Sequence, residues 1–441
     1  MEWYWAFAII VGALCALMVI GMPIAFAFLA VNIAGAWFFW GGTAGLNQMV
    51  LAVMDSVASF SIMPVPLFLL MGELLFRAGL AARLMDVLDA WLGRLPGRLS
   101  LMAVAGGTLF ATLAGSGAAT TALLGRILVP DMVKRGYKQP MTLGPVMGSG
   151  GLAVMLPPSA LGVILAATAD LSVGQFLLSI IVPGLMMALS YVIYVVARCV
   201  IQPDLAPRYN TGPSLRLLQK LRDTVVYAFP LATIVFVVTG LIFLGIATPT
   251  ESAGLGALSA LILAALYGKL DWPTLQQCLM STLRTSIMIL MILSGSSAYA
   301  QLLAFTGASA GLVELATSTS MSPIMIVITM QLVLLVLGTF MESLAMILLC
   351  VPIYFPIIEA LHLSPIWFGA IMLLNMEMAA ISPPFGFGLF VMKAVAPPGT
   401  TMMDVYRATI PFLLLNSVVM LIMIFFPSTV LWLPSLAVKG P

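Results

Sequence analysis

The sequence predicts an all-α polytopic membrane protein built as an inverted repeat, with about ten spanning helices and two re-entrant hairpins. Of its 441 residues, 62% are apolar and only 8% charged, against roughly 25% charged in an ordinary soluble domain. Most apolar runs have about the 20 residues that cross a hydrocarbon core. The two halves of the chain also repeat a proline pattern at one fixed offset.

Spans are expected near residues 4–21, 24–40, 55–76, 141–168, 175–198, 225–246, 249–267, 285–305, 366–393 and 405–427. The first, MEWYWAFAIIVGALCALMVIG, lacks a basic leading segment and a small-residue cleavage site, so it reads as a retained helix. After the third span, RAGLAARLMDVLDAWLGRLPGR places Leu80, Leu84, Val87, Leu88 and Trp91 on one helical face. This helix is expected along the cytoplasmic membrane surface. Residues 101–130 and 323–356 are apolar but interrupted by GSGAAT (115–120) and GTFMES (338–343). Each is expected to be two half-length helices that enter and leave on one face, cytoplasmic for the first and external for the second.

The repeat organises these elements. The pairs Pro23 and Pro249, Pro130 and Pro356, Pro157 and Pro383, and Pro158 and Pro384 are each 226 residues apart, joined by Gly162 and Gly388. Residues 1–200 and 224–428 are therefore read as two copies, with 201–223 a cytoplasmic connector and 429–441 a tail. Each copy has five spans and one hairpin, and an odd span count turns the second copy upside down. With the N-terminus outside, nearly all Lys and Arg fall in or beside cytoplasmic segments, and Lys439 alone lies outside.

Several function classes are excluded. No basic tract with interleaved aromatics suggests nucleic acid. The cysteines, Cys15, Cys199, Cys278 and Cys350, are scattered singly and read as small buried hydrophobes. There is no HExxH, GxSxG or Walker motif, so the chain does not read as an enzyme. Uphill transport then needs an ion gradient or a separate ATPase, and the repeat favours the gradient.

The site is expected where the repeats break. MGSGGLAVMLPPS (147–159) and LNMEMAAISPPFG (374–386) interrupt spans at matching positions. A Pro-Pro pair removes two backbone donors, which leaves carbonyls of the preceding turn free to hold a cation. Half-helix N-termini favour an anionic group. The hairpin tips add the hydroxyls of Ser116, Thr120, Thr121, Thr339 and Ser343. Intramembrane carboxylates need a reason, and Glu342 and Glu377 are assigned a cation or hydrogen-bonding role. His362, the single histidine, reads as an interfacial residue.

These stretches resemble a known family. LAGSGAATTALLGRILVPDMVKRGYKQP, the GSGGLAVMLPPS run, VPIYFPIIEALHLSPIWFG and SPPFGFGLFVMKAVAPPG are similar to the large membrane subunit of a tripartite ATP-independent periplasmic (TRAP) transporter along essentially the whole chain. The resemblance implies a sodium-driven elevator-type importer in a prokaryotic cytoplasmic (inner) membrane. It also implies a periplasmic substrate-binding protein that delivers a carboxylate, a separate small four-helix membrane subunit, and surrounding membrane lipid. Carried over by motif, candidate sodium sites are Gly115, Ser116, Gly117, Gly148 and Ser149, and Gly338, Thr339 and Glu342. Candidate substrate contacts are Pro157, Pro158 and Ser159, with Asn375, Glu377, Ser382 and Pro383. The chain departs from the family at Glu342, where many members have Asp, and at Ser382, where many have Thr. Its NMEMAAISPPFG run is more similar to members handling 2-oxo acids than to the four-carbon dicarboxylate type. The alternatives are a stand-alone anion symporter on the same plan and a non-transporting membrane scaffold.

Overall fold

In the computed structural model, described for residues 2–93, 95–114, 117–207 and 217–437, the chain is helical throughout. The helices are α1 Trp3–Val19, α2 Ile24–Phe39, α3 Thr43–Val57, α4 Pro64–Arg77, α5 Leu80–Leu92, α6 Arg98–Ala114, α7 Gly117–Lys134, α8 Gln139–Met155, α9 Ala160–Thr168, α10 Val173–Ser179 and α11 Ile181–Ile201. They continue as α12 Leu217–Asp223, α13 Phe229–Phe243, α14 Pro249–Leu266, α15 Trp272–Phe305, α16 Ala308–Ser318, α17 Pro323–Gly338, α18 Ser343–Ala360, α19 Pro365–Ala380, α20 Phe387–Val395, α21 Met402–Phe425 and α22 Ser428–Leu436. Polar caps followed by proline start several of them. Thr248 precedes Pro249, Ser322 precedes Pro323 and Ser364 precedes Pro365, each side chain accepting an N–H three residues on.

Among the described residues, seven helical stretches are long and apolar enough to cross a membrane, and α8 with α9, bent by 43°, makes an eighth if the pair is one span. The ten expected spans need revision in detail. The segment expected at 55–76 is interrupted between α3 and α4 by a short 3₁₀ turn at Phe60–Ile62. The one expected at 285–305 begins at Trp272 and runs 34 residues. α1 and α2 have 17 and 16 residues, about 25 Å of helix against a core of about 30 Å.

Helix boundaries recur at the 226-residue offset. Gly117 and Ser343 open α7 and α18, Lys134 and Ala360 close them, and Gln139 and Pro365 open α8 and α19. The helix stops match as well. Gly136 and His362 both have positive φ, 78° and 55°. The following N–H groups reach back five residues in both places, from Tyr137 to Met132 O at 3.0 Å and from Leu363 to Ile358 O at 3.1 Å. His362 thus takes the left-handed residue that ends α18, a conformation His tolerates better than most non-glycine residues.

Two bodies emerge from the packing. In the first, α1–α4 assemble with α13–α15. Asn32 Nδ2 donates to Gly295 O at 2.7 Å, and Arg77 and Glu73 of α4 reach Gln277 and Ser281 of α15 at 2.8 and 2.6 Å. The second body surrounds α8 and α19, which are buried along nearly their whole length. Helices that are apolar all round belong in such a core. α11 and α21 pack here too. Tyr191 OH donates to Asn416 Oδ1 at 2.5 Å, and Phe412 of α21 lies against Gly144 and Gly148 of α8. Between uniformly apolar helices no polar stripe marks the partner, so this choice leaves no trace in the pattern of residues.

The amphipathic α5 buries Leu80, Leu84 and Val87 as expected. Trp91 is instead 49% exposed, and its indole N–H reaches Thr224 Oγ1 at 2.7 Å.

Candidate functional site

The two hairpins and the two breaks meet in the second body. At the first, α8 lets four neighbours approach through its small residues. Ser149 packs against Gly107 of α6. A methyl group placed on Gly150 would lie 2.1 Å from Thr121 Oγ1 of α7, one on Gly148 would lie 2.3 Å from Phe412 of α21, and one on Gly151 would lie 2.4 Å from Glu377 Cγ of α19. Glycine is required here for backbone approach, and not for an unusual φ.

Glu377 is 5% exposed. Among the described residues no hydrogen bond or ion pair reaches it. It lies beside the start of α7: a methyl group on Gly117 would be 3.4 Å from Glu377 Oε2 and 2.9 Å from Gly150 O. A carboxylate is favoured next to a helix N-terminus. Glu377, from the second copy, therefore fits between the hairpin and the broken helix of the first.

The second hairpin mirrors this arrangement. A methyl group on Gly338 would lie 2.2 Å from Ala379 Cβ, Ser343 Oγ is 3.4 Å from Met376 O, and the rings of Phe340 and Phe385 are 5.5 Å apart. The tip from Gly338 to Ser343 thus lies along the end of α19. Thr339 Oγ1 donates to Val336 O at 2.8 Å, and Glu342, at the N-cap of α18, is exposed with no capping bond from its side chain.

The two breaks differ in what happens to the freed carbonyls. Pro158 withholds the N–H that would meet Val154 O, and Ser159 Oγ supplies the missing donor at 2.7 Å. The same hydroxyl accepts the Gly162 N–H at 3.1 Å and caps α9. At the second break Pro384 frees Ala380 O, while Ala379 O, four residues before Pro383, accepts the Ser382 N–H at 3.1 Å; the position of Ser159 is held by Phe385. Among the described residues no hydrogen bond reaches Ala380 O. A methyl group on Gly386 would lie 2.6 Å from Ala380 O, 2.8 Å from Ser382 O and 2.9 Å from Ala379 O. These three carbonyls pack closely against Gly386, and two of them are engaged: Ala379 O accepts the Ser382 N–H and Ser382 O accepts the Gly386 N–H, both at 3.1 Å, which leaves Ala380 O as the open one. Among the described residues no group of His, Cys, Asp or Glu could hold a transition metal.

The sequence-based candidates divide accordingly. Gly115 and Ser116 lie outside the described residues. Gly117, Gly338 and Glu377 make hairpin–break contacts, Thr339 and Glu342 lie at the tip of the second hairpin, Ser382 and Pro383 lie at the second break, and Gly148 faces Phe412 of α21. Asn375 is buried and donates to Gln331 O and Oε1 at 2.7 and 2.8 Å, with its own Oδ1 unpartnered. The expected substrate contacts at the first break lie in apolar surroundings. Pro157 and Pro158 face apolar residues of α13 and α10, and Pro157 lines an apolar cavity of about 370 Å³ with Leu231, Val235 and Phe236. Ser159 is fully buried with its hydroxyl committed, and Ser149, also fully buried, donates to Val146 O at 2.8 Å. Sequence reasoning missed the carbonyl of Ala380, although counting four residues back from Pro384 names it.

Comparison with known proteins follows this geometry. Residues 11–429 match the family described as "Tripartite ATP-independent periplasmic transporter, DctM component". The chain is 33% identical over 395 residues to the C4-dicarboxylate TRAP transporter large permease protein DctM of Pseudomonas aeruginosa, covering 88% of this chain and 90% of that one. It is 29% identical to the isethionate TRAP transporter permease protein DctMQ of Oleidesulfovibrio alaskensis, covering 95% of this chain and 65% of that longer one. Among solved structures, the Alcanivorax borkumensis YdaH transporter shares the fold with a TM-score of 0.63 at 13% identity, over 92% of this chain and 98% of that one.

Proposed function

The chain belongs to the DctM family, the large permease subunits of TRAP transporters, and from that premise we propose that it imports an organic acid together with sodium by an elevator movement. It is a multi-pass protein of the inner membrane, a permease and not an enzyme. In our reading the halves 1–200 and 224–428 are oppositely oriented. The body around α8 and α19 is the one that moves, and the body of α1–α4 and α13–α15 stays fixed. The family calls for a small membrane subunit and a periplasmic binding protein, and the fused relative named DctMQ is consistent with the first. A carboxylate is the cargo class we assign, in keeping with the dicarboxylate relative.

One observation carries the reading: among the described residues no donor reaches Ala380 O, the carbonyl that Pro384 opens at the second break beside the tip of the second hairpin. Oxygen ligands without a fixed negative charge suit a monovalent cation that must bind and leave again. A cation seated there supplies positive charge for a substrate carboxylate next to it, so the two are carried together. The first break is closed by Ser159 and faces apolar helices, which leaves the second as the ion site we favour.

The test is uptake of labelled organic acid into vesicles that contain this chain and its small subunit, with and without the binding protein. The proposal expects uptake only when all three components are present. Uptake that proceeds without the binding protein turns the reading into a stand-alone symporter.

A further inference from the structure

A proline four residues after a helical carbonyl withholds the N–H that the carbonyl would have received. In this fold several such carbonyls find donors elsewhere. Met141 O, ahead of Pro145, accepts from Ser100 Oγ at 2.6 Å. Met423 O, ahead of Pro427, accepts from Trp367 Nε1 at 2.7 Å. Val154 O, ahead of Pro158, accepts from Ser159 Oγ at 2.7 Å. Donor and acceptor in all three lie within the body around α8 and α19. Leu348 O of α18 is freed in the same way by Pro352, and it accepts from Ser296 Oγ at 2.6 Å. Ser296 is on α15, in the other body.

We propose that Ser296 is a positioning residue that latches the second hairpin to the fixed body in this state, through the carbonyl that Pro352 leaves open. The proposal rests on the elevator reading above. Its chemistry is asymmetric, and that asymmetry makes it reversible. A serine within a helix can donate to a carbonyl of its own preceding turn, as Ser294 does on the same helix to Leu290 O at 2.7 Å. Ser296 therefore keeps a partner when α18 departs. Leu348 O does not, and it must be met by something else.

That something is provided for in the space beside the bond. A cavity of about 440 Å³ lies along the seam between α15 and α18, and Ser296, Val351 and Pro352 form part of its wall. The hydroxyl-bearing residues Ser56, Ser59, Thr168, Ser297 and Ser309 line it as well. A space of this size and polarity admits water, which can take over Leu348 O as the hydroxyl leaves. Along α15 the same wall continues through Ser297, Ala300 and Ala304. Small side chains there let one helix pass another closely. The bond holds one position, and the cavity keeps release from stranding a polar group.

The test measures the distance between spin labels on the two bodies. With Cys15, Cys199, Cys278 and Cys350 replaced by alanine, Ala44→Cys on α3 and Glu359→Cys on α18 give two exposed labelling positions. Distance distributions of the full chain in lipid nanodiscs are compared for the parent, Ser296→Ala and Ser296→Thr. The latch predicts that Ser296→Ala shifts the populations by about threefold away from the separation in this structure, the effect of one average interhelical hydrogen bond. Ser296→Thr, which keeps the hydroxyl, restores the parent ratio. An unchanged ratio in Ser296→Ala, or a threonine variant that behaves like alanine, overturns the latch while leaving the movement intact. A single separation in the parent under every combination of sodium and substrate overturns the movement itself, and the latch with it.

Discussion

Glu377 and Gly151 occupy equivalent positions in the two copies, 226 residues apart, and they are in contact: a methyl group on Gly151 would lie 2.4 Å from Glu377 Cγ. One copy supplies a carboxylate and the other supplies the gap that receives it. The repeat is thus complementary at its centre, where identical residues would collide.

This contact yields a coupled pair of substitutions. Gly151→Ala overpacks the centre and is expected to cost about 1–3 kcal/mol of stability. Adding Glu377→Ala removes the colliding atoms, so the double variant should be more stable than the sum of the single effects predicts. Thermal unfolding of the four proteins measures it. Strict additivity would show that α8 and α19 do not meet as described.

The second break offers a substitution that borrows from the first. Phe385 stands where Ser159 caps Val154 O in the other copy, and it is 53% exposed. Phe385→Ser should place a hydroxyl on Ala380 O and compete with the ion. The sodium concentration for half-maximal uptake is expected to rise about tenfold, the equivalent of about 1.4 kcal/mol. Gly386→Ala should act in the same direction, because its methyl group would lie 2.6 Å from Ala380 O. An unchanged sodium dependence in both variants would move the ion elsewhere.

Ser159 gives the contrasting case. Its hydroxyl serves Val154 O and the Gly162 N–H, so Ser159→Ala loses a helix cap worth about 1 kcal/mol and leaves a buried carbonyl unpaired at about 1–3 kcal/mol more. The melting temperature should fall while the substrate and sodium concentrations for half-maximal uptake stay as they were. A selective loss of substrate affinity at unchanged stability would restore Ser159 to the binding site.

Much of this architecture was legible in the sequence because prolines and glycines act locally. The offset of 226 found from four proline pairs reappears in the starts of α7 and α18 and of α8 and α19. The interruptions at the hairpin tips were legible for the same reason, but the helices beside them run 16 to 18 residues where half-length ones were expected, and α18 alone is long enough to cross a membrane. What stayed hidden depends on neighbours. Nothing in the composition of α11 or α21 says that Tyr191 will meet Asn416. The α3 helix was missed because Asn47, Gln48 and Asp55 dilute its apolar pattern, while Met49 and Ala52 are buried with Ala298 of α15 and Gly45 packs on Ala36 and Trp40. At the site, the difference between Ser159 and Phe385 was present in the sequence. Its meaning required seeing which carbonyl each residue faces.

The central claim is that a sodium gradient drives the import. Its most direct measurement is uptake of labelled organic acid into vesicles containing this chain, the small subunit and the binding protein, with the sodium gradient dissipated and the proton gradient held constant. The account predicts that uptake falls to the level of empty vesicles. Uptake that continues undiminished would contradict it.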